Sequence, residues 1–350
     1  MKNVKHITLL SCLLIVALAT LPCNFTAAQT EKNTVAIISA QNTLNACYNV
    51  TKDAETAGAN ITQLQETLNT AGLLLSRAEL YNTQNNTSAI DAYAAQVQAV
   101  LVDFIPQANN LQDNATKIQQ TNSLLIISSI VGTFGVIGTS LIVWFYLKIN
   151  PKLKINLNKL KIMFVIVVTI TTLFVASPAV QSFLFFPQTD FFTEFWILGS
   201  DQTTKTFPST ITSNHNYRLF LGIGNDLGSC GYYMIQMKFY APSLEDFSIY
   251  ECNSSSRFLY VMNVFVADKQ TVLLPIDFSF DYTVTDSTID FNHLLLNEDV
   301  VDLRGYSIAW NHPGQNFYGK LVFELYLYNS TLDCFEYHER YVDLGLNLAV

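Results

Sequence analysis

Two uncharged apolar runs, residues 123–147 and 162–186, are separated by "KINPKLKINLNKLK". That stretch carries five lysines, Lys148, Lys152, Lys154, Lys159 and Lys161, and no acid. Each run is long enough to cross a hydrocarbon core of about 30 Å as a helix. Short loops rich in lysine stay on the cytoplasmic side. Residues 148–161 therefore read as a short basic cytoplasmic loop. Residues 123–147 read as a first transmembrane helix and 162–186 as a second, so everything before and after them is placed outside.

The N-terminus agrees with that orientation. Lys2, Lys5 and His6 precede the apolar stretch from Ile7 to Leu21, and small residues follow in "CNFTAAQ". A basic start, an apolar core and small residues make a secretory signal, assigned to residues 1–28 with cleavage after Ala28. An uncleaved anchor there would leave the orientation unchanged. Six N-x-S/T sequons, at Asn49, Asn60, Asn85, Asn114, Asn253 and Asn329, all fall on the outer side as candidate glycosylation sites. The formal net charge is −9. From Pro187 onward there are 20 acids against 8 bases, the reverse of a nucleic-acid-binding surface. The partners this implies are membrane lipid and another surface or membrane protein, with self-association into a homo-oligomer as a further option.

Between the signal and the first span, residues 29–122 predict an extracytoplasmic helical hairpin of coiled-coil type. Cys47, Ala54, Ile61, Leu68 and Leu75 recur every seven residues, with Val50, Ala57, Leu64, Ala71 and Ala78 between them. That is an a/d stripe. "YNTQNNTS" interrupts it, with Ser88 as a cap for a second arm. Ile90, Val97, Phe104, Leu111 and Ile118, with Ala94, Leu101, Ala108 and Ala115, repeat the stripe there. The two arms are expected to pair antiparallel, with Cys47 opposite Asn122 near the membrane and a kink at Pro106. Leu68 should sit in the seam and Gln65 off it. Ser128, Gly132, Gly135 and Gly138 in the first span allow close helix packing, either by the second span or by another copy.

After residue 186 the pattern changes to short Phe-, Tyr-, Val- and Leu-rich runs broken by Asn, Asp, Ser, Pro and Gly. "TEFWILG", "YRLFLGIG", "GYYMIQMKFY", "RFLYVMNVFVA", "TVLLPIDFSFDY", "GYSIAW", "KLVFELYLYN" and "RYVDLGLNL" read as strands. This spacing predicts an all-β antiparallel, Ig-like sandwich over residues 187–350, able to fold alone. The whole is then an α+β membrane protein with both large domains extracytoplasmic.

Residues 191–226, "FFTEFWILGSDQTTKTFPSTITSNHNYRLFLGIGND", and 314–329, "GQNFYGKLVFELYLYN", resemble the domain-of-unknown-function family numbered 1616, mostly archaeal membrane proteins. The likeness covers roughly residues 165–348. It departs after Asn225, where "DLGSCGYY" stands, and residues 242–256 look inserted. The resemblance implies location and fold. That family brings no established activity.

No catalytic frame emerges. Cys47, Cys230, Cys252 and Cys334 remain outside the signal, where an oxidising setting favours disulfides. One bridge among Cys230, Cys252 and Cys334 is expected, with the third thiol meeting Cys47 or left over. No CxxC or clustered histidine spacing supports a metal site. His215, His293, His312 and His338 are scattered, and His293 and His312 flank Glu298, Asp299 and Asp302. "GIGND" lacks the following helix of a dinucleotide fold. Asp281, Asp286 and Asp290 lack the Gly and Glu of a calcium loop. The chemistry excludes a recognisable enzyme, cofactor or metal centre and favours a surface protein of binding or structural type. A subunit of a larger membrane complex is the second option and an exported enzyme the third.

Overall fold

A computed structural model describes residues 35–149, 165–173, 191–240, 258–311 and 316–350. The signal segment, Lys152, Lys154, Lys159, Lys161, Cys252, Asn253 and His312 lie outside the described residues, as does most of the second apolar run. The described residues fall into two compact units. One takes in 35–55, 60–108 and the described residues from 191 onward, and the other 56–59 and the described residues between 109 and 173.

In the first unit the helices are α1 (Val35–Thr56), α2 (Thr62–Thr83), α3 (Thr87–Val100) and the first residues of α4 (Phe104–Ile149). The expected first arm is broken in two. Helix α1 stops at Thr56, Gly58 adopts φ +86°, and α2 begins at Thr62. A positive φ suits glycine because no Cβ opposes it. The tip of the hairpin is where the sequence placed it, but Asn86 rather than Ser88 is the cap, its side chain accepting from Ala89 N at 3.2 Å. The second arm breaks at residues 101–103, where Asp103 has φ 60°. Pro106 therefore does not kink a continuous helix. It sits in the first turn of α4, where the missing N–H has no intrahelical acceptor to lose.

The stripe itself is buried. Leu64, Leu68, Ala71, Leu75 and Ala78 of α2 are enclosed, as are Ile90, Ala94 and Val97 of α3. Helices α2 and α3 make the expected antiparallel pair. Helix α1 does not extend that hairpin. Gln98 of α3 donates to Ser39 of α1 at 3.0 Å, a residue far from its place in a straight arm. Of the expected pair near the membrane, Cys47 lies in the first unit and Asn122 in the second.

Two sheets form the rest of this unit. The first runs β1 (Phe192–Leu198), β3 (Tyr217–Asp226), β6 (Gln270–Val284), β7 (Thr288–Leu296), β8 (Asp299–Asp302), with β9 (Ser307–Ala309) also on β7. The second runs β2 (Thr210–Ile211), β11 (Cys334–Leu348), β10 (Phe317–Asn329), β4 (Gly231–Tyr240), β5 (Tyr260–Val266). All eight strands read from the sequence are present. Missing from that reading were β2, β7 and β8. In "TIDFNHLLL" the outward Asp290 and Asn292 resemble loop residues, although Ile289 and Phe291 alternate inward. Pairing is antiparallel except for β2 on β11. Pro275 is tolerated in β6 because only β3 flanks it there; β7 joins β6 from Phe278 onward.

The sheets face each other across one core. Leu221, Ile223, Phe278, Phe280 and Phe291 of the first sheet meet Ile235, Met237, Phe239, Phe323 and Leu346 of the second. Phe239 lies 5.5 Å from Phe280 and 5.2 Å from Phe291, ring centre to ring centre. The architecture is thus a two-sheet sandwich. It is not a separate domain. The outer face of the second sheet is also buried, because helices cover it. Tyr48 of α1 packs on Tyr232, Phe265 and Tyr328 at 5.6–6.0 Å. The expected boundary between a helical domain and a free-standing sandwich at 187–350 is replaced by three layers: helices, second sheet, first sheet.

In the second unit α4 continues unbroken from Asn109 to Ile149, and residues 165–173 are helical. From Ser123 onward α4 exposes apolar side chains, among them Leu124, Val131, Phe134 and Ile142 at 65–71%. It is the one helix among the described residues long and apolar enough to cross a membrane. Ile118, expected in the buried stripe, is 62% exposed. Ser128 is exposed as well. A Cβ on Gly135 or Gly138 would meet no atom within 4 Å, so no described helix packs against those two small residues. Lys148 lies in the last turn of α4.

Candidate functional site

Strand β5 ends the second sheet, so one row of its backbone groups has no strand to pair with. Such an edge invites association with other chains unless something covers it. Helix α2 covers it with side chains. Asn69 accepts from Phe265 N at 2.8 Å, and both Asn69 and Gln65 donate to Phe265 O, at 3.1 and 3.0 Å. Ser76 Oγ accepts from Asn263 N and Asn263 Nδ2, each at 3.1 Å, and donates to Gly72 O at 2.9 Å. Gln65, Asn69, Gly72 and Ser76 recur every three or four residues and so share one face of α2. Gln65, expected off the seam, is 7% exposed and belongs to this face.

Gly72 sets the approach. A Cβ there would stand 2.9 Å from Asn263 O and 3.3 Å from the Phe265 ring. Alanine is the better helix former by about 1 kcal/mol, but crowding a packed seam costs about 1–3 kcal/mol. Gly72→Ala is expected to lower the urea midpoint of unfolding. A midpoint raised by the substitution would show that α2 and β5 separate freely.

The far end of the seam holds the charges. Arg77 Nε lies 3.2 Å from Asp299 of β8, and Tyr260 donates to the same carboxylate at 3.1 Å. Tyr232 donates to Asn263 Oδ1 at 3.1 Å. Glu79 is half-buried as a residue, yet its Oε2 is enclosed and has no hydrogen-bond partner. Burial pushes the Glu79 carboxyl up to about 7, against the opposing pull of its bond with Asn263. The phenols of Tyr232 and Tyr260 are raised by burial as well.

At the other end of the helical layer Glu55 of α1 ties two strand turns together. Its carboxylate accepts from Cys230 N and, at 2.9 Å, from Asp268 N. Burial raises its pKa although both bonds pull it down. Tyr48 donates to Cys230 O at 2.9 Å. On β4 and β10, Lys238 and Glu324 form an ion pair at 2.8 Å, with Tyr326 donating to Glu324 at 2.9 Å. Breaking either partner would leave a buried charge uncompensated.

The other expected positions are dispersed. Cys47 and Cys230 are free thiols, so the anticipated bridge to Cys47 is not made, and burial pushes the Cys47 thiol up to about 11. Protonated, enclosed thiols are poor nucleophiles. Cys334 opens β11, and any pairing through Cys252 lies outside the described residues. His293 stands 3.2 Å from Asp281 rather than near Glu298 or Asp302, and Asp299 is held by Arg77 and Tyr260. His215 stacks edge-on against Tyr217 at 4.8 Å. His338 on β11 has an enclosed Nε2 without a partner, and burial lowers its pKa. The glycines of "GIGND" lie within β3, paired with Trp196 and Glu194 of β1, and a Cβ on Gly222 would run into the Trp196 indole. Asp281 accepts from Asn214 and Asn292, both at 3.1 Å. Asp286 lies in the turn between β6 and β7. Among the described residues no group of three His, Cys, Asp or Glu could hold a metal ion.

The sequons differ in setting. Asn60, Asn85 and Asn114 are exposed, while Asn329 lies half-buried at the β10–β11 turn. Asn49 has an enclosed Oδ1, and Thr51 of its sequon is fully buried and donates to Cys47 O at 2.8 Å. Neither charge nor hydropathy marks the α2 seam in the sequence. Its signals are small or amide residues, Gln65, Asn69, Gly72 and Ser76, beside an apolar stripe.

No family model matches the chain, and no curated protein matches it. Among solved structures, the β-glucosidase from Listeria innocua in complex with glucose is similar at 11% identity, with TM-score 0.18. The same enzyme with gluconolactone is similar at 10% identity, again with TM-score 0.18. Each match covers 46% of this chain and 17% of that one. Likeness at that level bears on neither fold nor activity.

Proposed function

We propose that the protein is a membrane-anchored surface protein that works by binding or assembly rather than catalysis. The observation that carries this reading is α4. From Ser123 to Leu147 it holds no charged residue, and it exposes Leu124, Val131, Phe134, Ile142 and Phe145 among its described side chains. A soluble protein would hide such a surface, whereas lipid satisfies it. The second apolar run returns the chain across the membrane, and the lysines between the two runs stay in the cytoplasm. The helices and the sandwich then face outward, and the partners are lipid and another surface or membrane protein. The sandwich is of Ig-like type in this reading. The likeness to the family numbered 1616 supports the placement and adds no activity.

The test is topological. A cysteine-directed reagent that cannot pass membranes is expected to label Ser330→Cys in intact cells and to miss Asn156→Cys until the cells are opened. Outside labelling of Asn156→Cys would reverse the assignment, and recovery of the whole chain in the soluble fraction would remove it.

A further inference from the structure

We propose that the seam between α2 and β5 is a proton-operated latch, closed when Glu79 is protonated and loosened when it ionises. The geometry makes Glu79 the sensitive point. Its Oε2 is enclosed at a helix–sheet interface without a donor to receive a hydrogen bond. An ionised carboxylate in that place loses its hydration and keeps only the bond with Asn263 to offset the loss, whereas the neutral acid costs far less to bury.

Among the described residues, the groups facing it offer no cation. From β5 come Asn263 and the Tyr260 phenol, and from β4 the Tyr232 phenol, whose proton is given to Asn263. The nearby cation, Arg77 on the same helix, is already engaged with Asp299 of β8. Tyr93 of α3 stacks on Tyr81 of α2 at 5.5 Å and adds no positive charge. Asp299 is a second carboxylate beside Tyr260 and likewise brings no positive charge. Arg77 is thus held by Asp299, and Glu79 has no cation beside it among the described residues, only the Asn263 amide.

The consequence for stability has a definite sign. The folded acid binds its proton more tightly than the unfolded one, with a pKa of about 7 against an ordinary 4.5. Its contribution is fully present below pH 4.5, declines above it, and is gone once the pH has risen through about 7. Glu55 carries the same sign but keeps two backbone donors when ionised. Ionisation at Glu79 is felt first along α2. The Ser76–Asn263 and Asn69–Phe265 bonds lie one to three turns away on the same face. Release of those bonds would bare the β5 edge.

Glu79→Gln keeps the shape and removes the charge. In detergent-solubilised full-length protein, amide exchange at Asn263 and Phe265 is expected to quicken several-fold between about pH 5 and pH 8, beyond the intrinsic base-catalysed rise. In Glu79→Gln that excess should vanish while Glu55→Gln retains it. Equal pH dependence in wild type and Glu79→Gln would overturn the proposal. Should Glu79→Gln fail to fold, infrared titration of glutamate carboxyls in the wild type against Glu79→Asp decides the matter. An acid band titrating near neutrality and altered by Glu79→Asp supports the latch. Full ionisation of every glutamate by about pH 5 ends it.

Discussion

Residues 187–350 expressed without the N-terminal helices are expected to show no cooperative thermal transition and to aggregate. The sequence argues otherwise, since that length suffices for a sandwich core. The structure shows what would be stripped away. Tyr232 and Phe265 are 0% exposed and stack at 4.1 Å on the outer face of the second sheet, and Tyr328 beside them is 4% exposed. Each large side chain returned to water costs about 1.5–3 kcal/mol, against a total domain stability of about 5–15 kcal/mol. The β5 edge would also lose the side chains of Gln65, Asn69 and Ser76 that occupy its free N–H and C=O groups. An uncovered edge is a template for strand pairing between molecules. Co-expression of residues 35–108 should restore a soluble complex that melts cooperatively. A monomeric, cooperatively melting 187–350 fragment would show that the helical layer is an accessory to the sandwich.

Leu68→Asp is expected to abolish folding of the same unit. Leu68 is 0% exposed between α2 and its helical neighbours. Losing a buried leucine costs about 2–5 kcal/mol before any charge is considered. An unpaired carboxylate in its place adds a desolvation cost of at least similar size. The control belongs at Gln63→Asp, an exposed position in the first turn of α2, where a negative charge favours the helix N-terminus. Gln65→Asp is not mild, because Gln65 donates to Phe265 O and a carboxylate cannot. Protease resistance of Leu68→Asp equal to that of Gln63→Asp would show that the stripe is not the helical seam.

The stripe and the strands were legible because each depends on local spacing. Leu64, Leu68, Ala71 and Leu75 repeat at the helical period, and "GYYMIQMKFY" is β4 residue for residue. The hidden parts depend on residues distant in the chain. Nothing near Gln65 announces Phe265, 200 positions away, and Asn69 and Ser76 look like ordinary surface polar residues. Local spacing marks such polar residues as exposed and so suggests two domains, where the packing makes three layers. The same reason explains Cys47 and Cys230. An exported setting, as expected from the sequence, suggests a bridge, but one is buried in α1 and the other lies in a turn held by Glu55.

Long uncharged runs, a lysine-rich loop and repeating apolar positions are properties of short windows. By themselves they determined the apolar helix, the helical hairpin of α2 and α3, and eight of the strands. The enclosure of Glu79, the cover over β5 and the turn-back of α1 were decided only by tertiary contact. Each arises when a helix face with unremarkable polar residues meets the unpaired edge of a sheet assembled from the other half of the chain. A hydrogen bond to a distant backbone leaves no periodic trace, and the desolvation that shifts a carboxyl to about 7 exists only once both surfaces are in place.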